Sequence, residues 1–244
     1  MVAGCDVVAF GAHPDDVELG CGATLSRLVA AGRRVGIVDV TAGEVGTRGN
    51  ATRRAAVAAA AAGQLRVAWR ICLELADAGL AASDEAQRCA VAGVLRRARP
   101  RVVFLPHWSD PHPDHGATGW LLRHASFLAG VKRWHPELGP PHRPRLLLAY
   151  PGPRQLLEPQ LVVDVTASYA AKRAALAAYA SQFEPGEGNP THLASGYFLA
   201  AIEGRDRAVG NTVGCELGEG FAPVGPVSAD EVAWLVGEGP CALV

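Results

Sequence analysis

Lysine is scarce in this chain. Only two of the 23 basic residues among 244 are lysine, and 24 acidic residues bring the net charge to −1. A near-neutral chain has no long-range electrostatic pull toward nucleic acid or an anionic membrane, so neither is expected as a partner. No apolar run approaches the ~18 residues a bilayer span requires, and the first residues show no basic region leading into a long apolar one. A cytoplasmic protein is expected. The six cysteines (Cys5, Cys21, Cys72, Cys89, Cys215, Cys241) form no C-x-x-C pair, which removes the common zinc-ribbon and dithiol-redox patterns. Their mostly apolar neighbours predict buried free thiols in a reducing compartment. The dinucleotide fingerprint G-x-G-x-x-G is also missing. A Rossmann nucleotide-binding module, with Asp39 standing where a ribose-binding acid would, is the competing class, and Asp15 and Asp16 in the first turn count against it because they would repel a pyrophosphate.

What is present is a run of alternating strand and helix signals. A chain of this length buries roughly 70–75% of its unfolded surface and needs no disulfide or structural metal to fold. Val7 to Gly11 is short and apolar throughout, as a strand covered on both faces would be. Leu25, Leu28 and Val29 recur at helical spacing within Val17 to Ala31, and Gly32 closes that helix. Strands follow at Arg34 to Thr41, Val67 to Leu75 and Arg101 to Pro106, with helices at Ala51 to Gln64, behind a Ser83 cap to Ala98, and at Gly116 to Leu128. The pattern predicts an α/β fold: a Rossmann-like, mostly parallel sheet with right-handed crossovers and helices on both faces. Beyond about residue 130 the regularity fades. Strands are expected at Leu146 to Tyr150 and Leu161 to Val165, helices from Ser168 to Ser181 and Leu193 to Val209, and loop for most of the rest. We read residues 1–244 as a single domain, with a doubly wound core over about 1–130 and a less regular C-terminal extension over about 131–244.

Two clusters carry the chemistry. Gly11-Ala12-His13-Pro14-Asp15-Asp16 follows the first strand, and His112-Pro113-Asp114-His115 lies just past the fourth. Each alone reads equally well as a strand-end turn. Both, however, fall at the carboxyl ends of parallel strands, where open α/β sheets bind ligands. A catalytic zinc takes three His or carboxylate ligands and leaves a position open for water. His13, Asp16 and His115 make such a set, and Zn²⁺ or another divalent transition metal is the expected cofactor. Asp15 is the expected general base. His112 is left to stabilise an oxyanion, with Asp114 orienting it or holding it charged. The arrangement predicts metal-assisted hydrolysis of an amide or ester. Trp108, four residues before His112, is the aromatic placed to line a pocket.

At these two clusters the sequence resembles the PIG-L/LmbE-like family of zinc-dependent N-acetylglucosaminyl deacetylases, known by A-H-P-D-D after the first strand and H-P-D-H further on. Both motifs are intact, and the likeness runs nearly the whole chain. It implies zinc ligands His13, Asp16 and His115, general base Asp15, and His112 with Asp114 as the charged oxyanion partner. The substrate implied is a small GlcNAc-type molecule, and members of the family often form homo-oligomers. A finer resemblance, to the bacillithiol-biosynthesis branch acting on N-acetylglucosaminyl-malate, rests on Phe10 to His13, Asp15 to Gly20, Thr47-Arg48-Gly49 with Arg54, Ala178 to Phe183 and Glu219-Gly220-Phe221. It implies that Arg54 grips the substrate's acid group in a bidentate fork, with Arg48 sharing the task. The family tyrosine that assists the oxyanion falls at Tyr197 or Phe198. Two departures bear on substrate identity: Asp110-Pro111 stands where that branch has Asp-Arg, and Ala76-Asp77 where it has Pro-Asp.

Overall fold

Val7 and Ala9 pack into the apolar layer on one face of the first strand, Val8 and Phe10 into the layer on the other, and all four are fully buried. Such two-sided burial is why the strand reads as an unbroken apolar run. The computed structural model describes residues 2–46, 51–183 and 193–236. Strand β1 (Val7–Gly11) pairs in parallel with β2 (Val35–Thr41) on one side and β4 (Val102–Pro106) on the other. Beyond β2 lies β3 (Trp69–Leu75), and beyond β4 lies β5 (Leu146–Tyr150), both again parallel.

The chain builds outward from β1 through β2 to β3, then returns to begin again at β4. The crevice between the carboxyl ends of β1 and β4 is therefore the topological switch point. Helices α1 (Asp16–Ala30) and α2 (Ala51–Leu65) cover one face; α3 (Glu85–Ala98) and α4 (Pro113–Ala129) cover the other. Gly20 lets α1 sit directly on the ring of Tyr150, which a Cβ there would overlap, and the Tyr150 hydroxyl donates to the Phe10 carbonyl at 2.7 Å.

The C-terminal portion is more ordered than its sequence predicts. Besides β6 (Leu161–Asp164), it supplies β7 (Gly218–Pro223), expected to be loop, which runs antiparallel between β5 and β6 and completes a seven-stranded sheet. Two glycines in six residues mask the strand signal. What draws the segment in is Glu219. Its carboxylate accepts the Ala23 and Thr24 amides of α1 at 3.1 and 2.7 Å and pairs with Lys172 at 2.7 Å. Lys172, on α5 (Tyr169–Ala177), also pairs with Asp206 of α7 (Phe198–Asn211), and Tyr169 donates to the same Asp206 oxygen. The helix expected from Ser168 to Ser181 is divided into α5 and the short α6 (Ala180–Phe183). A final helix, α8, spans Ala229–Val236.

Smaller differences have local causes. Asp84, not Ser83, caps α3, its carboxylate accepting the Gln87 amide. Helix α4 starts three residues earlier than expected, because His112 caps it and Pro113, with its preset φ, occupies the first turn. Of the five cysteines described, only Cys5 and Cys21 are buried; Cys72 is exposed, on the edge strand β3, where one face of the sheet meets solvent. No helix among the described residues is long and apolar enough to cross a membrane.

Candidate metal centre

The turn after β1 is built by Asp16. Its carboxylate accepts the His13 amide at 2.8 Å, and the Asp16 amide reaches back to the His13 carbonyl. The residue between them pays in backbone strain: Asp15 has φ 113°, a region that side-chain-bearing residues rarely adopt. It occupies the N-cap position of α1, yet its side chain caps nothing and lines the pocket.

From the other side of the crevice, α4 presents His115 in its first turn. His115 Nε2 lies 3.1 Å from one Asp16 oxygen, and His13 Nδ1 lies 3.4 Å from the other. Ligand atoms of His13, Asp16 and His115 all fall within 4.8 Å of one another. Both imidazoles thus converge on one carboxylate, each on its own oxygen, and three such donors are the set a zinc-type ion takes. The outer nitrogens of both rings face carboxylates. His13 Nε2 is 3.1 Å from Asp77 and 3.4 Å from Asp114, and His115 Nδ1 is 3.3 Å from Asp110. This carboxylate–histidine pairing fixes the tautomer of a metal-binding imidazole and raises its basicity. The donor set, its spacing and its outer partners all fit a zinc-type ion.

The electrostatics point the same way. Burial alone would depress both imidazoles, but Asp16, with Asp110 for His115, overrides it and pushes His13 up to about 9 and His115 up to about 10. Burial likewise works against the Asp16 carboxylate, and His115 and His13 hold it well below its usual range. The cluster demands positive charge. Asp15 moves the other way: burial first, then Asp16 and Glu18, raise its carboxyl well above the ordinary value, against the opposing pull of His13 and Arg54.

His112 reaches the same site in a different manner from that expected. Its Nδ1 accepts the Asp114 backbone amide at 3.3 Å, while the Asp114 carboxylate turns away to His13 and the Ala78 amide. Asp114 therefore does not hold His112 charged. Burial and the neighbouring His115 and His13 lower the His112 pKa. With Nδ1 accepting, the neutral ring carries its proton on Nε2 and is a donor.

These groups surround a pocket of about 540 Å³ within the usual size range for small-molecule sites. Arg54 lines it, nested against Gly43 and Gly46 and reaching the Gln182 amide oxygen at 3.4 Å. Arg48 lies outside the described residues. Tyr197 is not in the wall. It is 57% exposed at the start of α7, because its neighbour Phe198 turns inward to stack on Phe183. Neither residue brings a family-type phenol or its replacement to the pocket lining. Trp108 is also absent from the wall, stacked instead on His107 and packed beneath Arg123. Asp39 is 3% exposed and clamped by two Arg70 nitrogens at 2.7 and 2.8 Å, so no ribose can reach it. Sequence reasoning missed Asp77 and Asp110 as partners of the histidines; both stood in view only as the matching halves of pairs in which Ala76 and Pro111 depart from a motif.

The model of the GlcNAc-PI de-N-acetylase family, PIG-L, matches residues 8–126. The chain is 33% identical over 164 residues to 1D-myo-inositol 2-acetamido-2-deoxy-alpha-D-glucopyranoside deacetylase 2 of Saccharopolyspora erythraea, a match covering 53% of this chain and 59% of that protein. It thus spans less than two thirds of that curated relative's length, as it does for others it matches. Among solved structures, the conserved protein TT1542 from Thermus thermophilus superposes with TM-score 0.82 at 37% identity, covering 92% of this chain and 96% of that one. The N,N'-diacetylchitobiose deacetylase from Pyrococcus horikoshii superposes with TM-score 0.78 at 25% identity, covering 90% and 83%.

Proposed function

We propose that this chain, whose residues 8–126 match the PIG-L family model, is a metal-dependent hydrolase that removes acetate from the 2-acetamido group of a GlcNAc conjugate. The observation that carries this reading is the convergence of His13, Asp16 and His115 beside a half-buried Asp15 of raised pKa, in one pocket. His13, Asp16 and His115 would hold zinc or another divalent transition metal. Bound there, the ion supplies Lewis acidity, polarising a carbonyl and lowering the pKa of water from 15.7 to about 7.

The remaining work belongs to the chain itself. Asp15 takes the proton of the attacking water and returns it to the departing amine. An elevated pKa suits both halves of that task, since it brings the carboxyl nearer the working pH. His112 donates its Nε2 proton to the acetamide oxygen as negative charge develops there; losing one such donor typically costs about 2.7–4 kcal/mol of transition-state stabilisation. Asp77, Asp114 and Asp110 orient the two ligand imidazoles.

The substrate we assign is N-acetylglucosaminyl-malate, giving glucosaminyl-malate as in bacillithiol biosynthesis. Support comes from the branch motifs and from Arg54, whose guanidinium on the pocket wall suits a carboxylate. Acetate release by the zinc-loaded protein against glycosides of malate and inositol and against diacetylchitobiose tests this assignment. Fastest turnover of the malate glycoside is expected. Preference for either other substrate would overturn the assignment, and no release from any of them would overturn the deacetylase reading.

A further inference from the structure

Among the described residues two arginines line the pocket, and they differ in how their charge is used. Arg54 is already engaged. It packs on Gly43 and Gly46, reaches Gln182 and exerts its field on Asp15. Arg154 lines the same pocket and is exposed, and it makes no hydrogen bond, ion pair or ring contact with any described residue.

It does not sit on a loose loop. Gly152-Pro153-Arg154-Gln155 is a β-turn closed by the Gln155 amide on the Gly152 carbonyl at 3.2 Å, with proline at the second position, which its preset φ favours. Both flanks of Arg154 are pinned to the site. Gly152 presses against Asp110 and the Nδ1 edge of His115 so closely that a Cβ would overlap the Asp110 carboxylate, and Gln155 Nε2 lies 3.0 Å from His107 Nδ1. Pro153 forms part of the wall. A cation with no counter-charge among the described residues is thus carried by a turn registered against a histidine of the candidate metal site.

Topology places this turn opposite Arg54. Arg54 comes from the crossover after β2, Arg154 from the segment after β5, and these strands flank the β1–β4 crevice from its two sides. The floor between them carries five carboxylates, Asp15, Asp16, Asp77, Asp110 and Asp114. An anionic substituent is repelled there and attracted to the rim.

From this arrangement we propose that Arg154 is a specificity-determining residue that binds an anionic group, carboxylate or phosphate, on the substrate's aglycone. The proposal rests on the deacetylase reading for the identity of the sugar, but not for the charge preference. A guanidinium offers a planar fork to either anion, and a hydrogen-bonded charge pair of this kind changes affinity by roughly tenfold or more. The substrate is held with its neutral acetamide at the candidate metal site and its acid end between Arg54 and the turn.

The test measures binding by calorimetry to the zinc-loaded full chain carrying Asp15→Asn, so that the probes persist. The probes are N-acetylglucosaminyl-malate, N-acetylglucosamine 1-phosphate and the neutral methyl glycoside. The Asp15→Asn protein should prefer the anionic probes. Adding Arg154→Ala should cut that preference about tenfold, and Arg154→Lys should restore part of it. Three results overturn the proposal: no anion preference to begin with, an undiminished preference after Arg154→Ala, or an equal loss for charged and neutral probes. Comparison of malate with phosphate identifies which anion the turn takes. Acetate release by the wild-type protein is followed separately; its absence alongside an Arg154-dependent preference would remove the deacetylase reading and leave the role of Arg154 standing.

Discussion

His13 Nε2 lies 3.1 Å from an Asp77 carboxylate oxygen, while the other nitrogen of the same ring faces Asp16 at 3.4 Å. One imidazole therefore joins the candidate metal site on one edge and a carboxylate on the other. Partners of this kind typically contribute about 10–100-fold to metal affinity. Asp77→Ala should weaken zinc binding by a factor in that range, and Asp110→Ala, which strips the equivalent partner from His115, should do the same. Competition with a chromophoric chelator reads both. Unchanged affinity in the two variants would contradict the pairing.

Metal uptake should release protons. In the metal-free protein His13 is pushed up to about 9 and His115 up to about 10, so both rings are protonated at pH 8 and must shed a proton to bind. Calorimetry in buffers of different ionisation enthalpy should give close to two protons per zinc at that pH. The stability consequence has a definite sign. Folded pKa values raised above the ordinary 6.5 stabilise the metal-free fold fully below that pH, and the contribution fades as pH climbs through 9 and 10. The melting temperature of chelator-treated protein should fall across that window more steeply than that of zinc-loaded protein.

Asp15→Asn should leave the fold and the metal site standing, since asparagine tolerates positive φ about as well as aspartate. Acetate release should drop by roughly 10²–10⁴ if Asp15 moves the proton. Retained turnover, with zinc content confirmed, would reassign the base.

Lys172→Met should destabilise the protein by about 3–5 kcal/mol, because it strands Glu219 as a buried carboxylate without its cation and leaves Asp206 with Arg205 alone. Urea unfolding measures the loss. Replacing Lys172, Asp206 and Glu219 together with apolar residues of similar volume should recover much of it, which separates a buried-charge penalty from simple loss of packing.

Much of the site could be read from residue order. His13, Asp15 and Asp16 occupy one turn and His112 to His115 another, so once each turn is placed at a strand end the convergence of His13, Asp16 and His115 follows from the parallel sheet. Asp77 and Asp110 were not legible as partners. Each lies on its own loop, and nothing in their spacing says which nitrogen they face. Tyr197 shows the opposite failure: a motif one residue out of register became an exposed side chain because Phe198 had the stronger claim on the core.

The sequence by itself determined the five-stranded parallel core, since apolar runs alternating with amphipathic helices admit few other arrangements, and it determined the chemistry that could gather at the β1–β4 crevice. Tertiary structure alone decided how the C-terminal third closes over that core. Gly218–Pro223 carries no strand signal of its own. It becomes a strand because Glu219 finds Lys172 and the α1 amides, contacts nearly fifty and two hundred residues away in the chain. The same closure sets the turn bearing Arg154 against Asp110 and His115. Local propensity cannot report such pairings, because buried charges are stabilised by partners that only the folded chain brings within reach.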